Sequence, residues 1–267
     1  MAEPRAVIPA STLLLVRDAP GLQVLMVERH YEIDFAAGAL VFPGGKLATD
    51  DARPSWAGMS DADPAMAAGE RAFRVGAVRE AFEESALLLA RPAGARGLGR
   101  PLATAEDIAP LQELRAGIAD GEQSFFEAVQ AAGLVLALDA LTPFAHWVTP
   151  VGMPKRFDTW FYIAATPSAQ IAAHDGRETT EAVWVDPGAA AADAHAGRRK
   201  IIFPTRLNLE MLAASGATSA AAIAAAQARA IVTVEPKVVS ENGELVLTIP
   251  AEAGYSVTRE PLSGNLP

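Results

Sequence analysis

The heptapeptide Arg79-Glu80-Ala81-Phe82-Glu83-Glu84-Ser85 places the tightest constraint on how this chain folds. It lies within a proline-free run from about Ala67 to Leu89, dominated by Ala, Glu, Arg and Leu, and that composition predicts a long helix. At about 100° per residue, Glu83 and Glu84 fall roughly 60° and 40° to either side of Glu80. Three carboxylates therefore share one face, while Val78, Ala81, Phe82 and Leu89 lie around the other. Like charges at this spacing cost roughly 0.2–0.5 kcal/mol per pair. The acidic face either stays in water or shares a cation.

The segments around the helix are short and apolar. Residues 11–16 (STLLLV) and 23–28 (QVLMVE), separated by Asp18, Pro20 and Gly21, predict a β-hairpin. A short strand over 39–42 runs into Pro43-Gly44-Gly45, read as a breaker. Residues 50–66 and 93–103 read as loops, and 104–136 as an inserted helical segment rather than sheet. Strands are expected at 144–149, 157–164 and 180–185, and helices around 188–196, 205–214 and 218–230. Residues 231–235 and 244–249 frame Glu241-Asn242-Gly243 as a late hairpin. Interleaved strands and helices with local hairpins predict an α/β (α+β) fold, a mixed sheet covered by helices.

Composition narrows the function classes. The net charge of −10 argues against nucleic-acid binding, which rests on clustered Lys and Arg. A small phosphorylated substrate remains compatible, provided a metal ion or a local basic pocket offsets the negative field. The absence of cysteine removes disulfides, thiolate zinc sites and cysteine nucleophiles. The apolar run Thr12–Val16 is too short for a signal or a membrane span, so no membrane partner and a cytoplasmic location are expected. The histidines His30, His146, His174 and His195 are scattered without ligand spacing.

A strand, a glycine pair and an acidic helix together suit a phosphate and cation site, because hard divalent cations take carboxylate oxygens and substrate phosphates. In that order the residues resemble the signature of Nudix hydrolases: a glycine, an acid, then Arg-Glu-apolar-x-Glu-Glu-x-Gly-apolar. Gly45, Arg79, Glu80, Ala81, Glu83, Glu84 and Leu87 match it, with Ala86 in the usual glycine position. Two departures stand out. The first acid, aligned with Asp51, is Asp rather than Glu, and 27 residues rather than seven separate it from Arg79. Asp50, Asp51 and Glu70 all remain candidates for it. The stretches AAGALVFPGGKL, FAHWVTPVGMPKRFDTWFYIA, TEAVWVDP and FPTRLNLEML resemble a larger Nudix branch that includes peroxisomal-type coenzyme A diphosphatases. The final Gly264-Asn265-Leu266-Pro267 differs from a Ser-Lys-Leu signal, so a peroxisomal address is not expected.

The resemblance implies a Nudix-like α/β/α sandwich, read as one domain over 1–267 with insertions at about 52–70 and 93–140 and a C-terminal extension over about 216–267. It implies a Mg²⁺-dependent hydrolase (Mn²⁺ as alternative) that cleaves a diphosphate linkage, with coenzyme A or acyl-CoA as the first substrate. The alternative is a Nudix-fold binding or regulatory module with weak catalysis. Glu80, Glu83 and Glu84 are the implied metal ligands, and Arg79 braces a carboxylate or contacts phosphate. Gly44, Gly45, Lys46, Arg29, Lys155 and Arg156 are candidates for substrate contacts, with Asp158 beside the last two. Glu178 and Glu181 are candidates for an extra base or ligand. Trp147, Trp160 and Trp184 are read as core residues rather than base-stacking platforms. A homodimer is expected from family habit.

Overall fold

The computed structural model describes residues 6–30, 37–241 and 243–261. Strand β1 (Ile8–Asp18) is its axis, and alternation decides its two faces. Leu13 and Leu15 point into one hydrophobic cluster, Leu14 and Val16 into another, and all four are essentially inaccessible to water. β1 turns at Asp18 into β2 (Leu22–Arg29), but the two pair only over Val16–Asp18 and Leu22–Val24. Where β2 departs, β4 (Gly44–Lys46) takes its place along Ala10–Thr12. β3 (Leu40–Val41) pairs with β2. The sequence reading of Gly44-Gly45 as a breaker is corrected here: both glycines lie in a strand bonded to β1.

Helix α1 (Ala68–Ser85) packs across β1 and β4. It ends four residues before Leu89, where the composition placed its end, because Ala86 adopts a left-handed conformation (φ 63°) and closes the helix through an N–H donated to the Phe82 carbonyl. Glycine usually fills such a position, and it is where the chain departs from the signature. Beyond it, β5 (Ala90–Pro92) pairs with β6 (Leu134–Leu136), so the predicted all-helical insertion contains a small two-stranded sheet. Between them lie α2 (Ala105–Ala119) and α3 (Phe125–Ala131), the first opened by a Thr104/Asp107 capping box, the second by Ser124.

β7 (Thr142–Val148) runs antiparallel to β8 (Phe157–Ala165), and β8 runs parallel to β1. β9 (Thr179–Val185) pairs with β2 along its free edge. Helices α4 (Pro187–His195), α5 (Phe203–Ala214) and α6 (Ser219–Ala228) follow. β10 (Thr233–Val234) pairs with β7 in parallel, completing an eight-stranded mixed sheet among the described residues. The late hairpin is formed by β11 (Lys237–Glu241) and β12 (Glu244–Thr248), not by 231–235, and β13 (Arg259–Pro261) joins it. Residue 242 at its turn lies outside the described residues.

The result is an α/β/α sandwich. One face of the sheet carries α1, α2 and α3, and the other carries α4, α5 and α6. The C-terminal extension is part of the second core: the Tyr255 hydroxyl accepts from the Trp147 indole (2.8 Å) and donates to Asn208 (2.7 Å). No single helix among the described residues is long and apolar enough to cross a membrane.

The two insertions meet each other on the α1 side. Trp56, in a 3-10 turn Pro54–Ala57, is fully buried and packs against Phe125 (ring centroids 5.6 Å) and Phe126 (4.9 Å) of α3. Arg91, itself buried, ties Asp61 (2.9 Å) to Asp139 (2.6 Å). Trp56→Ala should cost about 3–5 kcal/mol by opening a cavity between the insertions. A urea titration should show a lower midpoint with an unchanged slope.

Candidate active site

The acidic face of α1 does not look into water. Glu80 and Glu84 lie against the glycine strand β4. The Gly44 N–H donates to Glu84 Oε2 at 2.9 Å. A Cβ on Gly45 would sit 2.6 Å from Glu80 Oε2, so any side chain there would displace the carboxylate. A Cβ on Gly44 would collide with the backbone of Ser11 and Thr12, at 2.6–2.7 Å. One turn earlier, Gly76 lets α1 approach Ser11 and Asp51, with a virtual Cβ only 2.9 and 3.0 Å from their oxygens. A glycine inside a helix costs helix stability; here it sets the separation of helix and sheet.

Arg79 holds the cluster together. Its Nε and Nη2 form a two-pronged pair with Asp51, both at 2.9 Å. Nη1 reaches Glu83 Oε2 at 2.9 Å and Glu80 Oε1 at 3.0 Å, and Nη2 also donates to the Lys46 carbonyl at 2.8 Å. Asp51 has no exposed side-chain surface, and it also accepts from the Ala48 N–H at 2.8 Å. Of the candidates for the first acid of the signature, Asp51 is therefore the one paired with Arg79. Asp50 instead accepts from the Ser124 hydroxyl and the Phe126 N–H at the start of α3, and Glu70 pairs with Arg74 at 2.8 Å. Adjacent aspartates thus serve different partners, one the acidic helix and the other the second insertion.

Burial dominates the titration of the glutamates. It pushes the Glu80 carboxyl up to about 8, against the opposing pull of Arg79. Burial likewise raises Glu84 well above the usual carboxylate range, and repulsion from Glu80 adds to it. Glu83 is raised by burial and tempered by Arg79. Burial works against the charge of Arg79, but Asp51, Glu80 and Glu83 outweigh it and hold the guanidinium firmly protonated. Without a further cation, burial favours the protonated form of both Glu80 and Glu84.

The remaining candidates divide by position. Arg29, at the end of β2, is close enough to Glu84 to favour its ionised form, and its buried Nε has no hydrogen-bond partner among the described residues. Glu178 is close enough to repel both Glu83 and Glu84. Glu181 is exposed on β9, opposite Glu28. Because Gly45 faces α1, strand alternation sends the Lys46 side chain to the other side of the sheet, where it is exposed. Arg156 donates to the Thr149 carbonyl (3.0 Å) and to Glu235 (2.6 Å), anchoring the β7–β8 turn to the C-terminal extension. Lys155 is exposed in that turn. Trp147 is core, Trp160 stacks on His146 with centroids 4.3 Å apart, and Trp184 lies under the Arg17 guanidinium at 4.1 Å. The sequence reading passed over Asp175, Arg115 and Thr179, which organise the approach to Glu178. The one local signal was the Asp-Gly turn at 175–176.

The donor set suits a hard divalent cation: buried carboxylate oxygens beside a backbone stripped of side chains. Among the described residues no three acidic or imidazole side chains form a closed metal cage. Mg²⁺ needs none, since it uses one or two carboxylates and keeps waters and substrate phosphates.

A glycine strand packed on an acidic helix across a mixed sheet is the architecture that the signature predicts for Nudix proteins. The profile of the NUDT19 Nudix domain matches residues 58–207, more than half of the chain, and the chain belongs to that family. It is 27% identical over 228 residues to the acyl-coenzyme A diphosphatase NUDT19 of Gallus gallus, covering 67% of this chain and 60% of that protein. It is 29% identical over 176 residues to the putative nudix hydrolase 7 of Caenorhabditis elegans, covering 66% and 50%. The chain thus spans about half to three-fifths of the length of these curated relatives. A crystal structure of a Nudix hydrolase from Alicyclobacillus acidocaldarius superposes with a TM-score of 0.66 at 27% identity, covering 80% of this chain and 93% of that one.

A carboxyl raised by folding stabilises the fold below its ordinary value and loses that contribution as pH climbs through the raised one. For Glu80 the interval runs from 4.5 to about 8. With a chelator present, the melting temperature should fall across that interval. Millimolar Mg²⁺ or Mn²⁺ should restore it most at the alkaline end. Scanning calorimetry at several pH values, with and without the metal, checks both.

Proposed function

We propose that this protein is a divalent-cation-dependent hydrolase of diphosphate linkages, with Mg²⁺ as its first metal and coenzyme A or an acyl-CoA as its first substrate. The observation that carries the reading is the burial of Glu80 and Glu84 side by side against the Gly44-Gly45 strand, where Arg79 and Arg29 offset their charge only in part and protons or a cation would relieve the rest. The substrate class is supported by the relatives named acyl-coenzyme A diphosphatase in Gallus gallus, Xenopus laevis and Homo sapiens.

Phosphoryl transfer asks for positioning and charge neutralisation rather than covalent chemistry. Bound to the carboxylates, the cation would neutralise phosphate oxygens and make a bound water more acidic. Glu84 and Glu80 hold it, in that order. Glu83, kept beside them by Arg79, adds charge. The Gly44-Gly45 backbone lets Glu80 and Glu84 close onto β4, and Arg29, whose Nε has no hydrogen-bond partner among the described residues, is placed to meet a phosphate oxygen. Asp51 is committed to Arg79, whereas Glu178, outside α1, acts on both Glu83 and Glu84 and is the candidate to orient or deprotonate the attacking water.

One observation favours the binding-module alternative: Arg79 already neutralises part of Glu80 and Glu83. The deciding experiment is a hydrolysis screen over coenzyme A, acyl-CoA, ADP-ribose, NADH, diadenosine polyphosphates and nucleoside triphosphates, with Mg²⁺, Mn²⁺ or EDTA. Metal-dependent turnover of a CoA substrate is expected. Glu84→Gln should lower kcat by about 10²–10³-fold, the scale of removing one electrostatic stabiliser of a transition state. Absence of turnover on every substrate, with ligand binding retained, would install the binding module instead.

A further inference from the structure

The segment 173–179, between β8 and β9, is fastened to the C-terminal end of α1. The Ala173 N–H donates to the Ser85 carbonyl at 2.9 Å. Thr179 is fully buried beside the Glu84 carbonyl, and the His30 N–H donates to the Glu178 carbonyl at 2.9 Å. Within the segment one side chain makes the turn. Asp175 Oδ1 accepts from the N–H groups of Arg177 (3.1 Å) and Thr179 (2.9 Å) and from the Thr179 hydroxyl (2.7 Å). Its Oδ2 accepts from the Glu178 N–H at 3.1 Å. A carboxylate that gathers this many donors fixes the direction in which Glu178 leaves the backbone.

The second insertion holds the segment from outside. Arg115 of α2 donates to the Glu83 carbonyl (2.9 Å) and to the Ala173 carbonyl (3.0 Å), bridging α1 to the segment. Asp120, just past α2, pairs with Arg177 at 2.7 Å. An insertion that adds no acid to the cluster still sets the place of one.

We propose that Asp175 is a positioning residue for the site: it folds the 175–179 turn so that the Glu178 carboxylate faces Glu83 and Glu84, and Arg115 of the inserted helix locks that turn to the end of α1. The proposal rests on the hydrolase reading for the role of Glu178 but not for the geometry. It places the exposed Glu178 at the rim of the acidic cluster, on a loop whose shape one aspartate dictates.

The test uses the full chain and two readouts, Mn²⁺ affinity by titration calorimetry and kcat and KM for coenzyme A hydrolysis. The variants are Asp175→Ala, Asp175→Asn, Glu178→Gln, and the double variant Asp175→Ala with Glu178→Gln. Asp175→Ala should weaken Mn²⁺ binding about tenfold, the lower end for residues that orient a metal's ligands. It should lower kcat by a similar factor with KM little changed. Asp175→Asn keeps one acceptor for the turn and should recover most of both losses. The double variant should match Glu178→Gln alone, because the residues act as a unit. Wild-type behaviour of Asp175→Ala, or losses that add in the double variant, would overturn the proposal. So would a lowered melting temperature with Mn²⁺ affinity and kcat intact. If the wild type turns over no substrate, the hydrolase reading fails, and the Mn²⁺ series alone still decides the positioning role.

Discussion

The two-pronged ion pair between Arg79 and Asp51 is the contact on which the site depends. Both partners are buried, and all the polar atoms of the guanidinium are engaged, by Asp51, Glu80, Glu83 and the Lys46 carbonyl. A buried charge pair of this kind adds little net stability over an apolar replacement, but losing one partner leaves a charge uncompensated and costs about 3–5 kcal/mol. Its value lies in registration. It ties the start of the first insertion to the acidic helix and fixes that helix against β4, where Gly44, Gly45 and Gly76 allow contact that no larger residue would.

That arrangement accounts for the interruption of the signature. About twenty residues enter between Asp51 and Arg79, yet the two side chains meet at 2.9 Å. The inserted residues leave after Asp51, bury Trp56 against α3, and return at α1. A shorter acid suffices because Asp51 sits in a 3-10 turn, Thr49–Ala52, directly against the helix. Asp50, one residue earlier, anchors α3. The insertions thus pack on each other and on α1, and through Arg115 and Asp120 they reach the loop that carries Glu178.

Much of the sandwich was legible in the sequence because its elements are locally consistent: continuous apolar runs in β1 and β8, Pro and Gly punctuation between strands, and a helical repeat through Phe82. The acidic face was legible as a cluster but not as a buried one, since periodicity says which residues share a face and not what covers it. Four features escaped for physical reasons. The glycine pair became a strand because β1 offers it partners. α1 stopped at Ala86 through a left-handed residue that composition does not mark. β5 and β6 are too short to register against neighbouring helices. β11 rather than 231–235 completed the late hairpin, because β10 is recruited by β7. Asp51, Asp50 and Glu70 were equivalent by type, and only the long-range contact with Arg79 separates them.

The most direct test of the account is anomalous diffraction from crystals soaked in Mn²⁺. The prediction is a peak bounded by Glu80 and Glu84 beside β4, with Arg79 still paired to Asp51. A soaked crystal without a peak there, or with Arg79 turned away from Asp51 and the glutamates opened to solvent, would contradict it.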